Sequence, residues 1–163
     1  MNAIELLKQD HQEALNVLDE LEIADEELEE TESAQALQTF TRLQSLLKLH
    51  TRLEEEIFYP ALEQFNETRD LVRQSYRAHE QVDELLAQLG NLDPIDEAFQ
   101  ELLLELRDSL DQHIEEEEGE MFPQAEELCG ATRLDELGQQ MELLKRQSGG
   151  ANNVRTAASG KKR

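Results

Sequence analysis

The stretches HTRLEEEIFYP at residues 50–60 and HIEEEEGEMFP at residues 113–123 are two copies of one pattern. In the first copy Glu54 follows His50 by four residues, and in the second copy Glu117 follows His113 by the same distance. This spacing puts imidazole and carboxylate on one face of an α-helix, one turn apart. The sequence therefore predicts an internal duplication in which two helices each present a histidine and a glutamate.

Two further histidines complete the pattern. His11 lies on an apolar stripe that begins at Ile4, and His79 lies on a stripe of a helix predicted to start near Asn66. Each predicted long helix thus carries one histidine on the face that apolar periodicity assigns to the interior. Six polar residues are expected at one depth of the core: His11, His50, Glu54, His79, His113 and Glu117.

Apolar periodicity over the rest of the chain predicts an all-α, up-down-up-down four-helix bundle. Ser33 is a candidate cap for the second helix, and Asp93-Pro94 is expected to open the fourth helix. After Gly130, Leu134 and its apolar neighbours at helical spacing predict a short fifth, C-terminal helix. We expect the bundle to occupy residues 1–147 and a disordered basic tail to occupy residues 148–163.

Composition excludes several classes of function. The 163 residues carry a formal net charge of -23, which repels nucleic acid and anionic membranes alike. Cys129 is the only cysteine, so an intrachain disulfide and a thiolate metal cluster are excluded. No apolar run is long enough for a membrane span or a signal sequence. We expect a cytoplasmic protein that is a monomer or weak dimer.

The six polar residues favour a metal site over a merely structural layer. Four imidazoles and two carboxylates buried without a metal would cost several kcal/mol of desolvation, whereas a pair of dications makes the same layer favourable. A bundle whose histidines are only buried is the least favoured alternative, because each polar residue would need its own explanation. The neighbouring acids fall off the stripe and are expected to be solvated: Glu55, Glu56, Glu115, Glu116 and Glu118.

This arrangement of four histidines and two HxxxE pairs resembles the hemerythrin-like family, also called the HHE cation-binding domain. The resemblance covers residues 1 to about 129. It implies a bundle enclosing two iron ions joined by an oxo or hydroxo bridge. Manganese is the alternative, because nitrogen and oxygen ligands suit it as well. The resemblance also implies that His11 and His50 hold one ion and that His79 and His113 hold the other. The glutamates Glu54 and Glu117 would bridge the two ions.

One position departs from the oxygen-carrying hemerythrins, which have a fifth histidine where this chain has Ser75. The site is therefore expected to be more open, with water, Glu80, Asp83 or O2, peroxide or NO as the alternatives for the position. Tyr76 is considered as a donor to a metal-bound oxygen, but a packed tyrosine bonded to backbone is the favoured interpretation. We predict a non-haem di-iron protein that binds and responds to O2, peroxide or NO, in oxidant sensing, scavenging or iron handling. A catalase- or peroxidase-like enzyme and a reversible O2 carrier are the alternatives.

Overall fold

The computed structural model of the chain is helical throughout the part that it describes. Backbone is described for residues 1–23 and 30–161, and side chains for residues 1–22 and 32–149. Within these ranges the chain forms helices and turns and no strand, so the predicted all-α class is confirmed. The elements are α1 Ala3–Ile23, α2 Glu30–Leu53, the π-helical segment π1 Glu54–Phe58, α3 Tyr59–Glu63, α4 Asn66–Leu89, α5 Glu97–Glu116, the π-helical segment π2 Glu117–Met121 and α6 Phe122–Lys161.

Two clusters of buried apolar side chains form the core. Cluster 1 includes Ala3, Leu7, Leu53, Phe58, Leu62, Val72, Met121, Phe122, Leu134, Leu137 and Met141. Cluster 2 includes Ala14, Leu18, Leu21, Phe40, Leu43, Leu47, Val82, Leu86, Leu89, Phe99, Leu103, Leu106 and Leu110. Along α1 and α4 the cluster 1 residues come before the histidine. They come after it in α2, and in π2 and α6, which continue α5. The histidines therefore lie where each long helix passes from one apolar cluster to the other.

Two predicted helix starts are wrong. Helix α2 begins at Glu30, so Ser33 lies inside it, and the Ser33 hydroxyl donates instead to the Asp93 carboxylate at 3.0 Å. Helix α5 begins at Glu97, preceded by Asp96 in an extended conformation. Asp93 closes a turn before the helix, accepting from the Ile95 amide at 3.1 Å. A side chain that can cap a helix can equally well close a turn, as Asp93 does, or bond to another side chain, as Ser33 does, so residue type alone misplaced these boundaries.

Helix α6 contains one break, at Gly130. Its φ of 78° and ψ of 166° are not helical, and glycine adopts this conformation without the strain that a Cβ would add. Beyond the break, Leu134, Leu137 and Met141 are buried in cluster 1, as their shared helix face predicted. The predicted boundary between bundle and tail falls inside α6, and the side chains of residues 150–163 lie outside the described part. The tail therefore stays a prediction.

A search of the described part of the chain finds no helix that is both long enough and apolar enough to cross a membrane.

Candidate metal centre

The six polar residues expected at one depth come together between the two apolar clusters. Every one of them is buried: His11, His50, Glu54, His79, His113 and Glu117. Helices α1, α2, α4 and α5 each supply one histidine, and each glutamate is the first residue of a π-helical segment. The duplicated sequence thus supplies two matching halves of one buried layer.

The π-helical segments change the register of the helices at the site. In each of them the backbone closes i to i+5, with the Tyr59 amide donating to the Glu54 carbonyl and the Phe122 amide donating to the Glu117 carbonyl. A π turn adds one residue to an α-helical ladder, and such insertions are frequent at functional sites. Because of the shift, Tyr59 is fully buried, whereas Ile57, which α-helical periodicity placed inward, is only half-buried.

The ligand-type atoms form two groups that share both glutamates. His11, His50, Glu54 and Glu117 form one group, and His79, His113, Glu54 and Glu117 form the other. Within each group the candidate ligand atoms all lie within 4.8 Å of one another. In the first group His50 Nε2 lies 3.0 Å from Glu54 Oε1. In the second, His79 Nε2 lies 3.1 Å from the same oxygen.

Several of these atoms lack a hydrogen-bond partner although they are buried. Within the described residues they are His11 Nε2, His50 Nε2, His113 Nε2, His113 Nδ1, Glu54 Oε2 and Glu117 Oε1. His11 Nε2 and Glu117 Oε1 are only 3.0 Å apart, yet their geometry does not make a hydrogen bond. Buried polar atoms are normally satisfied, and unpaired ones are costly. These nitrogen and oxygen atoms lie close together without hydrogen-bonding to each other, which is the arrangement expected around a bound cation.

Strong electrostatic coupling holds the cluster together. Burial alone would lower the pKa of His50, but the charge of Glu54 and the hydrogen bond to Asp10 outweigh it and raise that pKa from 6.5 to about 10. Burial likewise opposes ionisation of His79, and hydrogen bonding to Glu54 raises its pKa to about 9. Burial and the nearby charge of Glu54 raise the pKa of Glu117. A dication bound between Glu54 and Glu117 would stabilise both carboxylates in their charged form, because it offsets their mutual repulsion.

The outer nitrogens of three histidines meet carboxylates that the sequence analysis did not assign to the site. His11 Nδ1 lies 2.8 Å from Glu118 Oε2, and His79 Nδ1 lies 2.8 Å from Glu55 Oε2. The prediction that Glu55 and Glu118 are merely solvated is therefore wrong, although their side chains remain 35% and 34% exposed. The duplication could have predicted a shared role for Glu55 and Glu118, because they occupy equivalent positions in the two copies.

Asp10 is the third outer carboxylate. Its Oδ2 lies 3.1 Å from His50 Nδ1, and its other oxygen accepts from the Lys145 ammonium of α6. Burial alone would raise the pKa of Asp10, but the bonds from His50 and Lys145 outweigh it and leave the pKa below its usual range. A carboxylate on Nδ1 fixes both the orientation and the tautomer of an imidazole, leaving the Nε2 lone pair for a metal.

Comparison with known proteins agrees with this geometry. The family model of the hemerythrin HHE cation-binding domain matches residues 2–125. The chain belongs to this family. A crystal structure of a hemerythrin HHE cation-binding domain-containing protein from Mycobacterium kansasii is similar, with a TM-score of 0.76 and 25% sequence identity over 94% of this chain and 91% of that chain. No curated protein matches the chain.

Ser75 is the position at which the sequence predicts a departure from the oxygen-carrying hemerythrins. Ser75 is buried, and the side chain that reaches the site beside it is Tyr59. The Tyr59 hydroxyl donates to Glu117 Oε2 and lies 3.2 Å from His79 Nε2. Burial and the charges of Glu117 and Glu54 raise the pKa of Tyr59 well above its usual value, so the phenol keeps its proton.

The side chains considered for the open position lie elsewhere in this hemerythrin domain. Glu80 and Asp83 are exposed on α4, and Tyr76 packs edge-on against Tyr59 with ring centroids 5.3 Å apart. Sequence reasoning missed Tyr59 because an unbroken α-helix would turn a residue five places after Glu54 away from the site. The π turn at Glu54–Phe58 rotates Tyr59 back toward the site.

A small cavity adjoins the site. It has a volume of about 20 Å³ and is lined by His11, His50, His113 and the aliphatic side chains Ala14, Leu46, Leu47, Leu110 and Ile114, with Asp10 at one side. That volume accommodates about one water-sized molecule. The cavity thus has room for about one small molecule beside three of the four histidines.

Proposed function

We propose that this protein holds two metal ions in the buried layer and uses them to bind and respond to a small oxidant, O2, peroxide or NO. The observation that carries the proposal is the pair of four-residue ligand groups that share Glu54 and Glu117 and leave inward atoms without partners. One ion is assigned to His11 and His50, and the other to His79 and His113. The two glutamates bridge them.

Iron is the metal that we propose, with manganese as the alternative. Both suit a donor set of imidazole nitrogens and carboxylate oxygens without thiolates. Two dications beside the two carboxylates also offset the mutual repulsion of Glu54 and Glu117, which raises the pKa of Glu117 in their absence. Membership in a cation-binding family supports a resident metal.

When bound, the two ions supply electrons and exchangeable coordination positions. The residues of the chain provide the rest. The aliphatic lining of the small cavity excludes bulk water from one side of the site. The Tyr59 hydroxyl, which donates to Glu117 Oε2, is a proton source inside the layer. Glu117 accepts this hydrogen bond and orients the hydroxyl within the layer.

Sensing or scavenging fits these residues better than oxygen transport. Ser75 cannot supply the additional imidazole of the carrier proteins, and one fewer nitrogen donor leaves a position open to exchange. A phenol next to that position provides a proton, which favours reduction of a bound oxidant over its release unchanged. We therefore propose a protein that consumes or reports an oxidant.

A catalase-like enzyme is the second candidate, and Tyr59 is the observation that favours it. Disproportionation turns two H2O2 molecules into two H2O and one O2, so no further reductant is required. The O–O bond of the first peroxide breaks with a proton delivered to an oxygen, and the second peroxide gives up two electrons and two protons. A buried, neutral phenol hydrogen-bonded to Glu117 is suited to that delivery.

One anaerobic experiment tests both candidates. Ferrous iron is titrated into metal-free protein, and the loaded protein is then mixed rapidly with O2 or H2O2 while its spectrum is followed. We expect saturation at two ions per chain and prompt oxidation. Saturation at one ion or fewer would refute the metal proposal, and an oxygenated species that returns O2 under vacuum would refute the preference against transport. For the enzyme, Tyr59→Phe should slow O2 evolution from H2O2 about 100-fold, whereas Tyr76→Phe should not.

The remaining features are part of the proposal. The order of cluster 1 and cluster 2 residues along the long helices supports alternating up and down directions. The part of α6 beyond Gly130 would act as the fifth helix, with the bundle over residues 1–147 and the basic tail at 148–163. A monomer or weak dimer in the cytoplasm is the assembly and location that we propose.

A further inference from the structure

The four histidines differ in whether a carboxylate accepts a hydrogen bond from Nδ1, the ring nitrogen that faces away from the shared glutamates. Three have a carboxylate on Nδ1: Glu118 on His11, Asp10 on His50, and Glu55 on His79. Within the described residues, His113 Nδ1 has no hydrogen-bond partner although it is buried. One ligand-type ring of the four is therefore without an outer acceptor.

The duplication identifies the missing group. Asp10 immediately precedes His11 on α1, and the residue that immediately precedes His79 on α4 is Ala78. Asp10 supports the histidine of its own helical hairpin, His50, so the equivalent place for supporting His113 belongs to Ala78. Alanine has no acceptor to offer. The difference between the two halves of the site thus comes from one pair of equivalent positions, Asp10 and Ala78.

The space beside Ala78 is open to solvent. A cleft of about 190 Å³ is bordered by Ala78, Arg77, Ser109 and Gln112, and His113 forms part of its wall. Arg77 and Gln112 are exposed. The cleft, which Glu116 also lines, therefore brings solvent up to the side chains around His113, while His113 itself remains buried.

The opposite half of the site is reinforced further. Asp10 is nearly buried, with a side chain 9% exposed, and it accepts from both His50 and Lys145. Lys145 lies on α6 beyond residue 125, where the match to the family ends. A segment outside the family-matched region therefore fixes Asp10 against His50.

We propose, building on the two-metal function above, that the two metal positions are unequal. The ion at His79 and His113 binds more weakly, exchanges through the cleft and is the last to be loaded, and Asp10 and Lys145 are positioning residues for the ion at His11 and His50. The physical reason is that an acceptor on Nδ1 orients the ring and raises its basicity as a ligand. Loss of such a partner costs about 10- to 100-fold in metal affinity.

The test follows the release of ferrous iron from fully loaded protein to a coloured chelator under anaerobic conditions. We expect two phases of equal amplitude in the natural protein. Ala78→Asp, which restores the missing carboxylate, should slow the faster phase about 10-fold or more and leave the slower one unchanged. Ala87→Asp makes the same change at an exposed place on the same helix and should affect neither phase.

Three further variants, at Asp10 and Lys145, probe the other half without altering a candidate ligand. Asp10→Ala should speed the slower phase, and Asp10→Asn, which keeps a carbonyl acceptor, should restore most of the slow release. Lys145→Met changes a partly exposed residue of α6 and should speed the same phase only. This variant keeps the proposal testable if Ala78→Asp does not fold.

The outcomes separate this inference from the proposed function. Two ions released in a single phase, unaffected by Ala78→Asp and Lys145→Met, would overturn the inequality and leave the di-metal function standing. A faster phase that responds to Lys145→Met instead of Ala78→Asp would overturn the assignment of the weak position. Binding of fewer than two ions in the natural protein would refute the function itself.

Discussion

Each histidine ring of the site faces in two directions. Its Nε2 points to the shared glutamates, and its Nδ1 points to the surrounding protein. In three of the four rings an acceptor on Nδ1 decides which nitrogen carries the proton. In His11 and His79 that acceptor comes from the residue directly after a shared glutamate, Glu118 and Glu55 respectively. Adjacent glutamates in one sequence thus have different tasks, one at the centre of the site and one behind the opposite histidine.

Substitution of the outer glutamates should weaken metal binding without abolishing it. We expect Glu55→Ala and Glu118→Ala each to raise the dissociation constant for ferrous iron about 10- to 100-fold, because the imidazole loses its orienting acceptor. Glu54→Ala or Glu117→Ala should abolish the two-metal centre. Competition with a chelator measures all four, and exposed Glu115→Ala is the matched control. Affinities equal to that control for Glu55→Ala and Glu118→Ala would contradict the role given to their hydrogen bonds.

At the scale of elements, α6 is anchored to the start of α1 by a close backbone approach. A Cβ placed on Gly138 would lie 2.4 Å from the Met1 carbonyl oxygen and 2.8 Å from the Asn2 carbonyl carbon. Only a residue without a side chain permits that distance. Lys145, two turns further along α6, then reaches Asp10. The close packing at Gly138 thus helps to position the contact of Lys145 with Asp10, which in turn bonds to His50.

Two glycine substitutions should therefore change stability in opposite directions. Gly138→Ala should lower the free energy of unfolding by about 1–3 kcal/mol, because backbone atoms cannot move aside as a flexible side chain would. Gly119→Ala, in π2, should raise it by up to about 1 kcal/mol, since nothing lies within 4 Å of its added Cβ. Urea unfolding of the metal-free variants measures both. A Gly138→Ala protein as stable as the natural one would contradict the close approach of α6 to α1.

At the scale of the whole molecule, the polar layer links all four long helices of a strongly acidic chain. Without metal, the layer depends on ion pairs between histidines and glutamates. With metal, the same side chains would be ligands to a common centre. Ligation requires neutral imidazoles, so the metal-free and metal-bound proteins should respond differently to pH.

Removal of metal should lower the melting temperature, and the loss should grow with pH. The folded-state pKa values of His50 and His79 are raised from 6.5 to about 10 and about 9. Their ion pairs therefore stabilise the metal-free protein fully below pH 6.5, and that stability is lost as the pH rises through 9 and 10. Metal-bound histidines are already neutral and lose nothing over this range. Melting curves between pH 6.5 and 10, with and without chelator, should diverge; parallel curves would rule out metal ligation by these histidines.

The sequence alone was enough for the helical class, for the family and for the six residues that the structure brings into one buried layer. Apolar periodicity determines which face of a helix turns inward, and that property is local. A histidine or glutamate that interrupts an apolar stripe is therefore recognisable without any coordinates, as at His79 between Val72 and Val82. The repeat of one pattern 63 residues later made the signal specific.

Only the tertiary structure decided which side chains stand behind the histidines and what occupies the place next to Ser75. Asp10 and Glu118 are polar residues beside a stripe, and whether such a carboxylate meets water or an imidazole depends on the neighbouring helix and its distance. Tyr59 became part of the site because a π turn inserts one residue and rotates everything after it. Periodicity assumes an unbroken α-helix. It therefore cannot predict a local π turn, and it cannot predict which side chains of neighbouring helices meet.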